Sequence, residues 1–159
     1  MNLYLVRHSD AQRYASGIKD QDRKLTPEGI LKTKLMASKW YNFIPSLDYI
    51  ISSPYTRAQE TAKIIFDILK PNNPIILDNA LISGSKTEDV ITLVNSIDAE
   101  NIMLVGHQPD MAEHISVLTT PQNTLEVEFK KTSIAKISFG EKVKKGIGVL
   151  EFLVPPYVL

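Results

Sequence analysis

Short apolar runs punctuate the chain, separated by stretches in which apolar residues recur at helical spacing. "LYLV" (3–6), "YIIS" (49–52), "IIL" (75–77) and "IMLV" (102–105) are continuous rather than alternating. A strand covered on one face alternates; an unbroken run suits a strand covered on both, as in a parallel sheet between helices. "SIAKISF" (133–139) and "GVLEFLV" (148–154) predict two later strands, joined by the polar, glycine-flanked "GEKVKKGI". Helix candidates fill the gaps at 27–43, 54–70, 87–97 and 109–118. The first carries a start signal: Thr26 as N-cap, Pro27 at the first helical position and Glu28 in the positive first turn. Ser53-Pro54 and Pro109 predict similar openings for the second and fourth. Strands alternating with helices predict an α/β layered fold with a largely parallel sheet. The loops "KPNNP" (70–74) and "TTPQNT" (119–124) are too short to link domains, and no repeat interrupts the pattern. Residues 1–159 are therefore expected to form one domain.

Composition narrows the partners. Lys+Arg and Asp+Glu balance at 18 each, so no global field favours nucleic acid or a membrane surface. An anion site must then be a local concentration of cations. The chain has no cysteine, which removes disulfides, thiolate catalysis and cysteine-based zinc sites. No apolar run approaches the roughly 20 residues that span a bilayer, and no signal-peptide pattern opens the chain. A cytoplasmic protein is expected.

Three apolar runs share a further feature. The first ends in Arg7-His8, the second runs into "SSPYTRAQETA" with Arg57, and the third ends in "VGHQPD" with His107. Ligands of open α/β sheets bind beyond the carboxyl ends of the strands. If these strands are parallel neighbours, their tips gather two Arg and two His at one edge, beside two helix N-termini that favour anions. Such a pocket suits phosphate. A guanidinium clamps two phosphoryl oxygens, a neutral imidazole can attack phosphorus, and a second imidazole held protonated by the anion can donate to it. Gln108 adds an amide at the same tip. Read singly, the residues have plainer roles: Arg57 pairs with Glu60 on its own helix, His114 packs in its helix, and Trp40 fills the core. Metal binding through the two histidines is disfavoured by the two arginines, so neither metal nor cofactor is expected.

The ordered set "LYLVRHSD", "LTPEG", "SSPYTRAQETA" and "LVGHQPD" resembles the histidine phosphatase superfamily, with its phosphoglycerate-mutase-like fold. The short length and the tail "KKTSIAKISF…GVLEFLVPP" are most similar to SixA-type phosphohistidine phosphatases. The resemblance implies a three-layer α/β/α sandwich. It also implies His8 as phosphorylated nucleophile, Arg7 and Arg57 holding the phosphoryl group, and His107 stabilising the transition state, without metal.

Two departures stand out. Ser9 occupies a position where the family usually has Gly, adding a hydroxyl at the pocket wall or restricting the turn. The glutamate general acid of many members is missing from "LDNALISGSKTED", where Asp78 and Glu88 fit the pattern poorly. An alkyl phosphate needs a proton donor at its bridging oxygen, whereas phosphohistidine can be protonated on its own imidazole. A phosphohistidine-bearing protein is thus the expected partner. A small phosphate ester and a non-catalytic phosphate-binding module are the alternatives. The polar loop holding Ser16, Gly17 and Asp20 to Arg23 is expected to border the pocket, with Arg23 a candidate contact. "EKVKK" (141–145) is expected to be a solvated turn whose lysines could attract an acidic phosphoprotein near the pocket mouth.

Overall fold

The computed structural model describes residues 1–122 and 125–157. Asn123 and Thr124 of the "TTPQNT" loop, and Val158 and Leu159 of the tail, lie outside the described residues. Among the described residues, six strands form one sheet: β1 (Asn2–Arg7), β2 (Tyr49–Ser52), β3 (Ile76–Leu77), β4 (Asn101–Gly106), β5 (Ile134–Ser138) and β6 (Val149–Val154), in the order β3-β2-β4-β1-β5-β6. The first four are parallel; β5 runs antiparallel to both β1 and β6. Every expected strand is present, and the sheet is mostly parallel as the unbroken apolar runs imply.

Helices α1 (Pro27–Trp40), α2 (Thr56–Leu69), α3 (Thr87–Asn95) and α4 (Asp110–Thr119) cover the sheet. The pleat sorts side chains between two cores. Leu3, Leu5 and Leu104 pack with Val90 and Val94 of α3 and Ile115 of α4. Tyr4, Val6 and Val105 pack with Trp40 of α1 and Ala58, Ala62 and Ile65 of α2. The result is a three-layer α/β/α sandwich. Trp40 is fully buried, contributing roughly 2–3 kcal/mol of apolar burial. Among the described residues, no helix is long and apolar enough to cross a membrane.

Three local expectations need correction. Helix α2 starts at Thr56, not Pro54, because Tyr55 is extended and Ser53 does not cap it; the Ser53 hydroxyl instead accepts the Tyr55 N–H at 3.3 Å. Arg57 is therefore in the first turn. The 141–145 segment is not merely solvated: Val143 is fully buried and exchanges two hydrogen bonds with Asn95. It also follows the end of β5 that pairs with Asn2, at the opposite end of the sheet from His8, so its lysines do not border the histidine pair.

The start of α1 is built as its sequence implies. Thr26 Oγ1 accepts the Gly29 N–H at 3.0 Å, and the Thr26 N–H donates to Asp10 O at 2.9 Å. A Cβ at Gly29 would collide with that same carbonyl, so glycine lets α1 close against the loop following His8.

His114 of α4 is fully buried, with Nδ1 2.9 Å from Thr87 Oγ1, the structural role expected of it. Burial holds its pKa down to about 4, against weaker upward pulls from Asp110 and Glu88. The unfolded chain protonates this imidazole near pH 6.5, while the folded chain keeps it neutral. Its contribution is complete above pH 6.5 and is lost as pH falls towards 4. Urea denaturation at pH 7.5 and pH 4.5 should show His114→Gln losing less stability on acidification than the parent, by roughly 2 kcal/mol. Equal losses would place the acid sensitivity elsewhere.

Candidate active site

Strand β4 lies between β1 and β2, with Arg7 opposite Gly106 and Ser52 opposite Val105. The ladder continues past the strand ends: the His8 N–H donates to Gly106 O at 3.0 Å, and the Ser53 N–H donates to Val105 O at 2.9 Å. This pairing brings His8, Ser53 and His107 to one level. The two imidazole rings are 5.1 Å apart, and both histidines are buried.

His8 Nδ1 lies 2.7 Å from Ser9 O. A carbonyl oxygen only accepts, so Nδ1 carries the hydrogen and Nε2 presents its lone pair. Arg57 Nε donates to that lone pair at 3.2 Å. Burial depresses the His8 pKa to about 3; the Ser9 carbonyl opposes this, and His107, Arg57 and Arg7 reinforce it. His8 is a neutral base near pH 7. His107 is likewise neutral, its pKa lowered to about 4 by burial and then by Arg57, with Asp20 pulling the other way.

Arg57 is 4 % exposed. It is not paired with Glu60, whose carboxylate instead accepts the Leu25 N–H at 2.6 Å. Its partner is Asp20: Nη1 donates to the main-chain oxygen at 2.7 Å and Nη2 to Oδ2 at 3.0 Å. Asp20 Oδ1 also accepts from Arg23 Nε at 2.9 Å. Burial works against the Asp20 carboxylate, but the two arginines outweigh it and hold its pKa below the usual range. Sequence reasoning placed Asp20 in a bordering loop and missed this bridge, because nothing local marks a pairing 37 residues apart. Arg7 donates from Nη1 to Phe129 O at 2.9 Å, leaving a buried Nε without a partner. Gln108 follows His107, and its buried Oε1 has no partner. Tyr55, also missed, sets its ring 5.0 Å from His107 and 5.2 Å from the Arg57 guanidinium.

Ser9 is fully buried, and its oxygen accepts the Thr132 hydroxyl at 2.9 Å. Its backbone lies outside the left-handed region, so a side chain is tolerated there. Four other acids have partners of their own. Asp10 bonds Lys32 at 2.6 Å and Lys131 at 2.9 Å. Partial burial opposes its ionisation, but these lysines hold its pKa low. Asp78 caps a short turn by accepting the Ala80 N–H at 2.8 Å, Glu88 pairs with Lys145, and Asp110 accepts the Gly84 N–H at 3.0 Å. A groove of about 500 Å³ beside α2 and β3 is lined by Thr56, Phe66, Ile75 and Leu77 among others, with no His or Arg. That groove therefore takes in none of the arginines and histidines gathered at the strand tips.

Residues 3–83 match the histidine phosphatase superfamily (branch 1). The chain belongs to the histidine phosphatase superfamily. That membership supports phosphatase activity, a hydrolase function. An uncharacterized protein of Picosynechococcus is 31% identical over 143 residues, covering 88% of this chain and 86% of that one. A phosphohistidine phosphatase SixA homolog of Haemophilus influenzae is 28% identical over 148 residues, covering 86% and 87%. In fold, the chain is similar to the protein histidine phosphatase SixA in complex with tungstate, with TM-score 0.88, 20% identity and 99% of both chains covered. It is also similar to a putative α-ribazole-5′-P phosphatase of Escherichia coli, with TM-score 0.73 and 17% identity over 98% of both chains.

Asp20 holds the same guanidinium that a phosphate oxygen would seek. Asp20→Asn removes a negative charge while keeping a similar shape. Calorimetric titration should show inorganic phosphate binding on the order of threefold to tenfold tighter to the variant, the range for one partly solvated charge. Weaker binding would show that the carboxylate's main effect is to orient Arg57.

Proposed function

We propose that this phosphatase is a metal-independent phosphohistidine phosphatase working through a phospho-His8 intermediate. The observation that carries the proposal is the His8 ring, fixed by the Ser9 carbonyl with a bare Nε2 beside Arg57. An incoming phosphoryl group takes the place of Nε2 as the Arg57 Nε–H acceptor. Nε2 attacks in line, the N–P bond forms, and the bond to the leaving group breaks with its electron pair. Water then attacks phosphorus, the N–P electron pair returns to Nε2, and inorganic phosphate departs.

Arg7 and Arg57 spread the negative charge of the phosphoryl oxygens, a job fixed cations can do where other phosphoryl-transfer enzymes use Mg²⁺. His107 donates to a third oxygen, and Gln108 offers its amide N–H groups at the same tip. The substrate follows from the acids. Asp10 and Asp20 are held ionised by their cationic partners, so neither is a ready proton donor. A leaving imidazole protonates on its own second nitrogen; an alkoxide needs a donor at its oxygen. The site therefore favours phosphohistidine in a partner protein over alkyl phosphate esters.

Hydrolysis of a phosphohistidine-bearing protein should proceed in EDTA and exceed that of alkyl phosphates. His8→Ala should lower it at least a thousandfold, as loss of a nucleophile does. Rapid-quench labelling should find an acid-labile phosphate on the parent protein and none on the variant. Faster alkyl ester turnover would point instead to a metabolite phosphatase with an acid supplied elsewhere, and sensitivity to EDTA would overturn metal independence.

A further inference from the structure

Ser53 sits at the tip of β2, fully buried, with its Oγ 2.8 Å from His107 Nε2. A hydroxyl has one hydrogen to give and two lone pairs to offer. One lone pair is taken by the Tyr55 N–H at 3.3 Å. Among the described residues, the one acceptor within reach of the Ser53 hydrogen is His107 Nε2. Were Nε2 itself protonated, a fully buried O–H would lack an acceptor, a costly arrangement. The lower-cost assignment has Ser53 donating and Nε2 accepting.

The other ring nitrogen then carries the hydrogen. His107 Nδ1 is buried and has no partner, although the ring is 5.1 Å from that of His8. A buried imidazole donor without an acceptor, beside the proposed nucleophile, is what a phosphoryl oxygen would complete. We propose that Ser53 is a positioning residue that fixes His107 as the Nδ1–H tautomer, so that His107 donates a hydrogen bond to the phosphoryl group while remaining neutral. The inference rests on the assignment of His8 and His107 to the phosphoryl site. It differs from the expectation that the bound anion must protonate His107. It also gives His107 a fixed-donor role with no proton transfer, which suits a leaving group that supplies its own protonation site.

The Tyr55 N–H helps by occupying a Ser53 lone pair and turning the hydroxyl hydrogen towards Nε2. Ser53→Ala removes the hydroxyl and frees Nε2 to take the hydrogen. Ser53→Thr keeps the hydroxyl. The chain has three histidines, so long-range ¹H–¹⁵N spectra of the labelled full chain are simple, and His107→Gln assigns the ring by loss of its signals.

At pH 7 the parent should show His107 with its hydrogen on Nδ1, and inorganic phosphate should shift that nitrogen without adding a second proton. Ser53→Ala should move the hydrogen to Nε2 or mix the tautomers. It should weaken phosphate binding and lower kcat each on the order of tenfold, the scale of one buried hydrogen bond; Ser53→Thr should restore both. The tautomer assignment is overturned if parent His107 carries its hydrogen on Nε2. The positioning role is overturned if Ser53→Ala keeps the Nδ1–H form with full activity. Should Ser53→Ala fail to fold, the parent and Ser53→Thr spectra still decide the tautomer, and failure of Ser53→Thr to retain activity would count against the positioning role. If the tautomer is as proposed but the folded parent hydrolyses no phosphorylated substrate, the functional proposal fails while the Ser53–His107 assignment stands.

Discussion

The parallel pairing of β4 with β1 on one side and β2 on the other fixes where the Arg and His side chains gather, because it ends all three strands at one level. Pairing register in a buried sheet is strongly specified: a slip of one residue would exchange the faces of every side chain. Leu3 and Leu5 would then meet α1 and α2, while Tyr4 and Val6 would meet α3 and α4, reversing both cores. The apolar pattern thus sets the register, and the register sets His8, Ser53 and His107 side by side. The geometry of the cluster is inherited from hydrophobic packing.

That geometry creates an electrostatic conflict. Two guanidiniums are drawn into an edge from which water is partly excluded, and desolvation of a charge is costly unless it is paired. Arg57 gains a carboxylate and a main-chain oxygen from Asp20; Arg7 gains a carbonyl from Phe129 and a weaker pull from Asp10. The histidines resolve the conflict in the opposite way by remaining neutral, since burial and the nearby guanidiniums both disfavour imidazolium. Burial is the main cause that keeps His8 unprotonated, and the guanidiniums proposed to hold an anion reinforce it.

Strand and helix positions were readable wherever a residue's role depends on its own neighbours in sequence. The runs at 3–6, 49–52 and 102–105 became β1, β2 and β4 nearly residue for residue, and Thr26 capped α1 as its spacing implies. The Arg-His, Arg and His residues were legible because each follows an apolar run, and equivalent positions on parallel strands converge. Asp20 and Ser53 were not read with their actual partners. Asp20 reaches Arg57 only because the 12–24 loop folds across the edge, and Ser53 mimics an N-cap in sequence while its hydroxyl turns to His107. Arg57 was assigned Glu60 by helical spacing, but Glu60 is held by the backbone of Leu25. Local patterns identify candidate partners; tertiary contacts decide between them.

Ser9 shows how a departure from a family pattern can be absorbed. Its hydroxyl oxygen accepts from Thr132, a β-branched residue with φ 63, a conformation that is sterically unfavourable for such a side chain. The strain is held by two connections to β1 and the turn that follows it: the Thr132 N–H donates to Arg7 O at 3.1 Å, and its hydroxyl donates to Ser9. The same loop carries the Phe129 carbonyl that anchors Arg7 and the Lys131 ammonium that anchors Asp10. A glycine at position 9 would remove one of these ties. The serine therefore joins the loop before β5 to the turn after His8, and the two elements that hold Arg7 are braced against each other.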